Sequence, residues 1–209
     1  MDAFIFFVNL VGTVAFAASG AMIGLKKGMD LFGVCILGLT TAVGGGILRD
    51  LILGLTPPSA FQNPTSALVA LAVSAIFFLR RVRHVLMHNS HHYNTLLFWM
   101  DALGLGAFTV IGIQIAYEQV RDASFFLLVF VGAVTGVGGG VLRDLMAQEV
   151  PYIFKKRVYA SASLAGSLLC AGLWPWLGSM GAMLTGLVSV VLIRCLATHY
   201  HWNLPRAKL

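Results

Sequence analysis

Charged side chains are scarce in this sequence: Asp, Glu, Lys and Arg make up 11% of its 209 residues, whereas hydrophobic residues make up 58%. A soluble domain carries about 25% charged residues, so the composition excludes that class. It predicts instead an all-α polytopic membrane protein, because a segment in lipid has to satisfy its own backbone hydrogen bonds and a helix does so.

Cysteine is also rare, and its three copies lie in separate apolar runs. Their spacing matches neither a disulfide framework nor a zinc motif. The sequence has no nucleophile elbow, phosphate loop or zinc-protease helix, so neither an enzyme activity nor a cofactor is expected. His84, His88, His91 and His92 have no carboxylate or thiolate beside them. A solvated basic loop is therefore favoured over a metal site there.

Seven apolar runs come close to the length of about 20 residues that crosses a bilayer. The first run continues past Ala15-Phe16-Ala17, which resembles a signal-peptidase site, and is interpreted as a retained span. Trp174-Pro175-Trp176 is expected to form an interfacial turn between the last two spans. The predicted spans are 3–25, 31–55, 65–79, 96–117, 124–146, 158–173 and 181–197.

One heptapeptide occurs twice in these runs. Gly-Gly-Gly-Ile-Leu-Arg-Asp at 44–50 returns as Gly-Gly-Gly-Val-Leu-Arg-Asp at 138–144, which is 94 residues later. Predicted spans 1 and 4 also match, at an offset of 92 that pairs Asn9 with Asp101. We therefore expect a single membrane domain over 1–209. It contains repeat 1 at about 1–83, repeat 2 at about 95–177, and a seventh helix at about 179–198 with a short cytoplasmic tail.

A three-helix unit has an odd number of crossings, so the second unit is expected to enter the membrane from the opposite side. This arrangement is a 3+3 inverted-topology repeat with a pseudo-two-fold axis in the membrane plane. Ten basic residues fall in the loops after predicted spans 1, 3, 5 and 7, and the other side holds only Arg121. The positive-inside rule then predicts a multi-pass protein of the cell (inner) membrane, with the N-terminus outside and the C-terminus cytoplasmic. Membrane lipids, not nucleic acid, are the expected partners of the basic excess.

The triple glycines have two interpretations. Small residues allow helices to pack closely in a membrane. Alternatively, glycine lowers the barrier to a bent or unwound helix, whose freed carbonyl groups coordinate a cation beside a water-filled path. The second interpretation assigns six glycines to a cation path: Gly44, Gly45, Gly46, Gly138, Gly139 and Gly140.

Charge clusters follow the glycines in both copies: Arg49 with Asp50, and Arg143 with Asp144. Adjacent helical residues point about 100° apart, so an arginine is not expected to neutralise the aspartate that follows it. The clusters either mark two mouths of a permeation path or fix the helix bends. Asp101, an acid without an evident partner near the inner end of span 4, is expected to line a cation path or to cap an interface.

Thr41 and Thr135 occupy matching positions one turn before the glycines. Their hydroxyl groups could add oxygen ligands to the cation path, as could those of Thr40 and Ser19 and the amide of Gln114. The usual alternative is that such a hydroxyl bonds back to its own helix.

Two copies of Gly-Gly-Gly-x-Leu-Arg-Asp within seven spans resemble the prokaryotic relatives of the trimeric intracellular cation (TRIC) channels, a family that includes putative glycine transporters. The resemblance runs from span 1 to the Trp202-Asn203-Leu204-Pro205 tail. It implies a homotrimer with one potassium-permeable pore in each protomer, formed by glycine-bent helices 2 and 5. In animal members, basic residues near the fifth-helix bend bind phosphoinositide. Lys155, Lys156 and Arg157 lie on that side here as possible lipid head-group contacts.

The leading hypothesis is therefore a passive channel for monovalent cations, potassium or sodium. A secondary carrier of glycine or another small solute is the alternative, because inverted repeats are common among carriers. A scaffold of packed helices is a third interpretation, and the duplicated intramembrane arginines disfavour it because each is costly to insert.

Overall fold

The computed structural model describes residues 2–155 and 158–202, and all regular secondary structure in those ranges is helical. Five helices are long and apolar enough to cross a membrane, and a pair bent by 69° makes a sixth candidate. The helices are α1 (Asp2–Lys26), α2 (Leu31–Ile52), α3 (Ser59–Gln62), α4 (Thr65–Phe78), α5 (Arg80–His88), α6 (Ser90–Gln119), α7 (Phe125–Met146), α8 (Tyr152–Lys155) and α9 (Ala160–His199).

The two helices that carry the heptapeptide begin with side-chain caps. The Asp30 carboxylate accepts the Gly33 N–H at 2.7 Å before α2, and the Ser124 hydroxyl oxygen accepts the Leu127 N–H at 3.2 Å before α7. Each cap satisfies one of the four N–H groups that a helix start leaves free. Both helices begin within one residue of their predicted starts for this reason.

Helices α1, α2 and α4 pack on one another, and α6, α7 and α9 do the same. Contacts of α2 with α7 and of α1 with α6 join the two groups. The groups use the same local packing: Ser74 of α4 lies beside Gly38 of α2, and Ser167 of α9 lies beside Gly132 of α7. The matching serines relate α4 to the first part of α9 at an offset of 93 residues.

The middle glycines mark the crossing of α2 and α7. A Cβ atom on Gly45 would collide with the Thr135 carbonyl oxygen, and one on Gly139 would collide with the Thr41 carbonyl oxygen. Close helix packing, the first interpretation of the triple glycines, therefore accounts for these two residues. Both helices stay helical through all three glycines, so the unwound alternative does not apply.

The turn expected at Trp174-Pro175-Trp176 is wrong, because those residues are helical within α9. The backbone instead leaves helical geometry at Gly178, with φ 65° and ψ 177°. That positive φ is accessible to glycine because it has no Cβ atom. The 40 residues of α9 would span about 60 Å as one helix, which is twice the thickness of a bilayer core.

The loop expected around the histidines is also wrong. Residues 80–88 form α5, and Asn89 then caps α6 by accepting the His91 N–H at 2.9 Å. The cap starts α6 six residues before the predicted span. The predicted span follows the apolar run, and the first residues of α6 are polar. Leu86 is the buried residue of α5, and it anchors this short basic helix to the rest of the protein.

Candidate functional site

Asp101 lies at the centre of a buried charge cluster. Its Oδ1 atom accepts a hydrogen bond from Arg143 Nη1 at 2.8 Å, and its Oδ2 atom accepts one from Arg194 Nη1 at 2.8 Å. The Tyr159 hydroxyl donates to Oδ1 at 3.4 Å, and Arg143 also donates to the Ser19 hydroxyl. These five residues, together with Asp144, are named the Asp101 cluster. The expectation of an unpaired Asp101 is wrong, because two helices outside its own supply arginines.

Each arginine of the repeated motif bonds the aspartate that follows it. Arg49 Nε donates to Asp50 Oδ1 at 2.8 Å, and Arg143 Nε donates to Asp144 Oδ1 at 2.9 Å. The expectation that neighbours would not pair is therefore wrong. Cα–Cβ directions do diverge by about 100°, but the long arginine stem folds sideways. At these sites both charges are 0–5% exposed, and an unpaired buried charge is costly.

The aspartates also hold the chain that follows each helix. Asp50 Oδ2 accepts the Ser59 N–H at 2.7 Å and the Ser59 hydroxyl at 2.6 Å. Asp144 Oδ2 accepts the Tyr152 N–H at 2.8 Å. Each Arg-Asp pair therefore ties the end of a central helix to the next segment, which is the structural role that the sequence left open.

A cavity of about 500 Å³ lies between α1, α2, α4 and α6 and is named the α1–α2 cavity. Four of its residues recur along one face of α6 at helical spacing: Phe108, Ile111, Ile115 and Glu118. The cavity is lined by Ile5, Phe6, Asn9, Thr13, Ala42, Val43, Gly46, Arg49, Ser59, Ala60, Asn63, Thr65, Ser66, Phe108, Ile111, Ile115 and Glu118.

The cavity and the Asp101 cluster contain residues that correspond to each other at the sequence offsets of 92 and 93. In the cavity the Asn9 amide donates to the Ser66 hydroxyl at 3.3 Å. In the cluster Asp101 stands for Asn9, and Tyr159 stands for Ser66 at the offset of 93. One half is open and the other is filled because a tyrosine occupies the place of a serine.

The space around the third glycine of each motif shows the same difference. A Cβ atom on Gly46 would lie 3.7 Å or more from its nearest neighbour, which is the Arg49 side chain. A Cβ atom on Gly140 would lie 2.6 Å from the Tyr159 hydroxyl. Gly46 therefore faces open space, whereas Gly140 is covered by the tyrosine.

Two phenylalanine rings lie against each other at the part of the cavity wall that Phe108 forms. The rings of Phe16 and Phe108, equivalent at the offset of 92, lie 5.3 Å apart between centroids. Phe108 lines the cavity, and Phe16 lies against Gly139 near the crossing of α2 and α7. This aromatic pair therefore joins α1 and α6 beside the crossing of α2 and α7.

The candidate threonines bond back to their own helices. Thr41 Oγ1 donates to the Leu37 carbonyl at 2.6 Å, and Thr135 Oγ1 donates to the Val131 carbonyl at 2.6 Å. Thr13 differs: it lines the cavity, and its buried Oγ1 atom has no hydrogen-bond partner.

A sequence profile described as Glycine transporter matches residues 6–81 and 98–175 of this chain. The chain belongs to the glycine transporter family. It is 35% identical over 205 residues to the UPF0126 inner membrane protein YadS of Escherichia coli K12, covering 96% of this chain and 95% of that protein. It is 36% identical to a UPF0126 membrane protein of Deinococcus radiodurans, covering 97% and 91%.

Solved structures similar to this glycine transporter family chain are TRIC channels. One, from work on conductance through TRIC cation channels, is 37% identical, with a TM-score of 0.83 and 97% of each chain covered. A prokaryotic TRIC channel in 0.5 M KCl is 28% identical, with a TM-score of 0.88 and coverage of 98% and 100%. The Rhodobacter sphaeroides TRIC orthologue is 30% identical, with a TM-score of 0.85 and coverage of 95% and 98%. The resemblance to prokaryotic TRIC channels is confirmed, and this is a multi-pass helical membrane protein whose matched structures are channels, not enzymes.

Sequence reasoning on this TRIC-like chain missed Arg194, Tyr159 and Glu118. Arg194 had a usable signal, because it is the one Lys or Arg residue in the last predicted span and an intramembrane arginine points to function. Tyr159 and Glu118 sit at predicted span ends, where tyrosine and charged residues are ordinary.

The lipid-contact prediction falls at the edge of what the structure describes. Lys156 and Arg157 lie outside the described residues, and Lys155 is described only as the last residue of α8. The histidines are all placed: His84 and His88 lie on α5, and His91 and His92 lie at the start of α6. Residues 2–155 and 158–202 contain no group of three His, Cys, Asp or Glu side chains placed to hold a metal.

Proposed function

We propose that this protein is a passive channel for monovalent cations, potassium or sodium, with one path inside each protomer. The observation that carries the proposal is the α1–α2 cavity, which reaches the Phe108 ring that contacts Phe16. We propose that this aromatic pair forms a constriction between the cavity and the buried Asp101 cluster. Similarity to TRIC cation channels along the whole chain supports the same function.

The path is proposed to run along the faces of α2 and α7 that carry their third glycines, beside the close crossing of these two helices. Gly46 and Gly140 would line it, because the structure leaves one open and covers the other only with Tyr159. The first two glycines of each motif are assigned to packing: a Cβ atom on Gly44 would lie 2.6 Å from Leu142, and one on Gly138 2.9 Å from Leu48. Thr41 and Thr135 would support the path as packing residues.

We infer seven spans in a 3+3 inverted repeat plus one. Counting α9 as two spans broken at Gly178 gives the seventh. The bonds that recur at offsets of 93 and 94, from Arg49, Asp50 and Ser59 and from their counterparts, support the repeat. With the N-terminus outside, the α1–α2 cavity faces outward and the Asp101 cluster faces the cytoplasm.

The Asp101 cluster is proposed to hold the cytoplasmic half closed. Tyr159 covers Gly140, and Arg194 of α9 is bonded to Asp101 of α6. Conduction then requires Tyr159 and the end of α9 that carries Arg194 to separate from α6 and α7. Homotrimer assembly and lipid contacts at Lys155, Lys156 and Arg157 belong to the same proposal.

Conductance of purified protein in planar bilayers under a KCl gradient tests the function, with uptake of labelled glycine into proteoliposomes measured in parallel. Unitary currents far above about 10³ charges per second, the upper range of ordinary turnover, support a channel. Stoichiometric glycine uptake without unitary currents would overturn the channel in favour of a carrier.

A further inference from the structure

Glu118 holds the one carboxylate among the described residues that line the α1–α2 cavity. It lies in the last turn of α6, where the negative end of the helix dipole disfavours an acid. Its side chain is exposed and forms no ion pair with any residue in 2–155 or 158–202. Its position at a helix end is ordinary for a charged residue; what sets it apart is that it brings an acidic charge to the cavity wall without a neutralising cation among those residues.

Gln114 holds this carboxylate in place. It lies one turn earlier on α6, is 1% exposed, and donates from Nε2 to Glu118 Oε1. Its own Oε1 atom has no partner. The Gln114 amide makes this bond although its Oε1 atom stays unsatisfied. The bond restricts the Glu118 carboxylate to the cavity side of the helix end.

The cavity arginine does not cancel the charge of Glu118. Arg49 Nε is bonded to Asp50 Oδ1 at 2.8 Å, and Arg49 Nη2 donates to the Ser59 hydroxyl at 3.1 Å. The guanidinium group and the Asp50 carboxylate together carry no net charge. Glu118 therefore leaves the cavity with a net charge of about −1, and a cleft with low-dielectric walls focuses the field of such a charge.

Polar groups continue inward from Glu118. Asn9 and Thr13 line the same cavity from successive turns of α1. Thr13 is 1% exposed and its Oγ1 atom has no partner, although the hydroxyls of Thr41 and Thr135 bond back to their helices. A buried hydroxyl without a protein partner behind a cavity wall is the kind of group that a buried water satisfies.

We propose that Glu118, positioned by Gln114, selects hydrated monovalent cations over anions at the mouth of the α1–α2 cavity. The inference rests on the proposed channel function and names a residue that gives it charge selectivity. Charge selectivity requires the negative charge of Glu118, whereas Gln114 contributes by positioning that carboxylate.

The test compares wild type, Glu118→Gln and Glu118→Lys in planar bilayers at 0.1 M and 1 M KCl. The matched control is Asp122→Asn, which removes an acid four residues later, in the loop after α6, at a residue that does not line the cavity. Asparagine tolerates the left-handed backbone there, where φ is 58°. Glu118→Gln should lower potassium conductance about twofold or more at 0.1 M KCl. At 1 M, where the screening length falls from about 10 Å to about 3 Å, it should have little effect.

Reversal potentials in a KCl gradient give the second readout. They should move toward the chloride potential in Glu118→Gln and further in Glu118→Lys, while Asp122→Asn stays at the wild-type value. Gln114→Met, which keeps the side-chain length but removes the donor, should lose part of the low-salt conductance and recover it at 1 M KCl.

Two negative results are distinguishable. A conducting wild type with the same reversal potential and salt dependence as Glu118→Gln would overturn this inference alone. A wild type that passes no current would overturn the channel proposal and the selectivity inference together.

Discussion

The guanidinium groups of Arg49 and Arg143 bond the same kind of neighbour in unlike surroundings. Arg49 pairs with Asp50 at the wall of a cavity, and Asp50 keeps two further hydrogen bonds from Ser59. Arg143 is fully buried and bonds Asp101 as well as Asp144. Replacing an arginine that has two buried acidic partners should destabilise the protein more than replacing an arginine that has one. The substitution leaves both buried acids short of a partner.

Arg143→Gln should therefore destabilise the protein more than Arg49→Gln. Breaking a buried ion pair from one side costs about 3–5 kcal/mol, and we expect Arg143→Gln to reach that range. Arg49→Gln should cost less, since Ser59 and water in the cavity still serve Asp50. Melting temperatures in one detergent measure the difference, with Arg121→Gln as an exposed control. Equal losses for the two variants would contradict the distinction drawn here.

At the scale of helices, the three glycines of a motif have different structural roles. The middle glycine sets the distance between α2 and α7, whereas Gly46 faces a cavity. Gly45 and Gly46 belong to the same triple-glycine pattern in the sequence. Helical periodicity predicts the face of α2 on which each glycine lies, but not which atoms pack against that face.

Gly45→Ala and Gly46→Ala should therefore change stability in opposite directions. The Gly45 variant pushes a methyl group into the backbone of α7, and such overpacking costs about 1–3 kcal/mol. The Gly46 variant meets no close atom and gains about 0.5–1 kcal/mol from the higher helix propensity of alanine. Denaturant unfolding followed by circular dichroism measures both. Gly46→Leu, which fills the cavity, should fold but conduct less than Gly46→Ala.

Tyr159→Ser places before α9 the residue type that Ser66, its counterpart at the offset of 93, has in α4. It uncovers Gly140 while Arg143 and Arg194 still bond Asp101, so we expect a higher open probability with the cluster intact. Single-channel recording measures this, and Tyr152→Ser, which also removes a tyrosine near the cluster, is the matched control. An open probability equal to wild type would show that the tyrosine does not block the path.

Much of the helical layout follows from the sequence, because apolar runs and side-chain caps are local. Spans 1, 2, 3 and 5 were predicted to within about three residues at each end. The Asp101 cluster was not predictable in the same way, since Arg194 and Asp101 are 93 residues apart and meet only once α9 packs on α6. The Arg-Asp pairing depends on rotamers, which spacing does not determine.

At the scale of the whole molecule, the distribution of basic residues between the loops predicts the orientation of the protein. With the N-terminus outside, cysteines introduced at Ser59 and Asp122 should react with an impermeant reagent applied to intact cells. A cysteine at Asn89 should not react until the cells are opened. The background needs Cys35 and Cys195 replaced, because both are partly exposed. Labelling at Asn89 in intact cells would contradict the predicted orientation and weaken the case for an inverted repeat.

Assembly is the second prediction at this scale. Related TRIC channels are trimeric, and we expect cross-linking in lipid nanodiscs to give dimers and trimers but no larger species. Size-exclusion chromatography with light scattering supplies an independent mass. A monomer by both methods, with conductance retained, would mean that trimer formation is not needed for the path.

The two groups of helices share local packing but differ in what they would present to an ion. One group lines a pocket that has an acid among its wall residues, and the other holds a filled and neutral charge cluster. In the proposed channel, an ion would therefore meet a shallow well from one direction and a barrier from the other. Such a channel should rectify: at equal ion concentrations on both sides, current should flow more readily in one direction across the membrane than in the reverse.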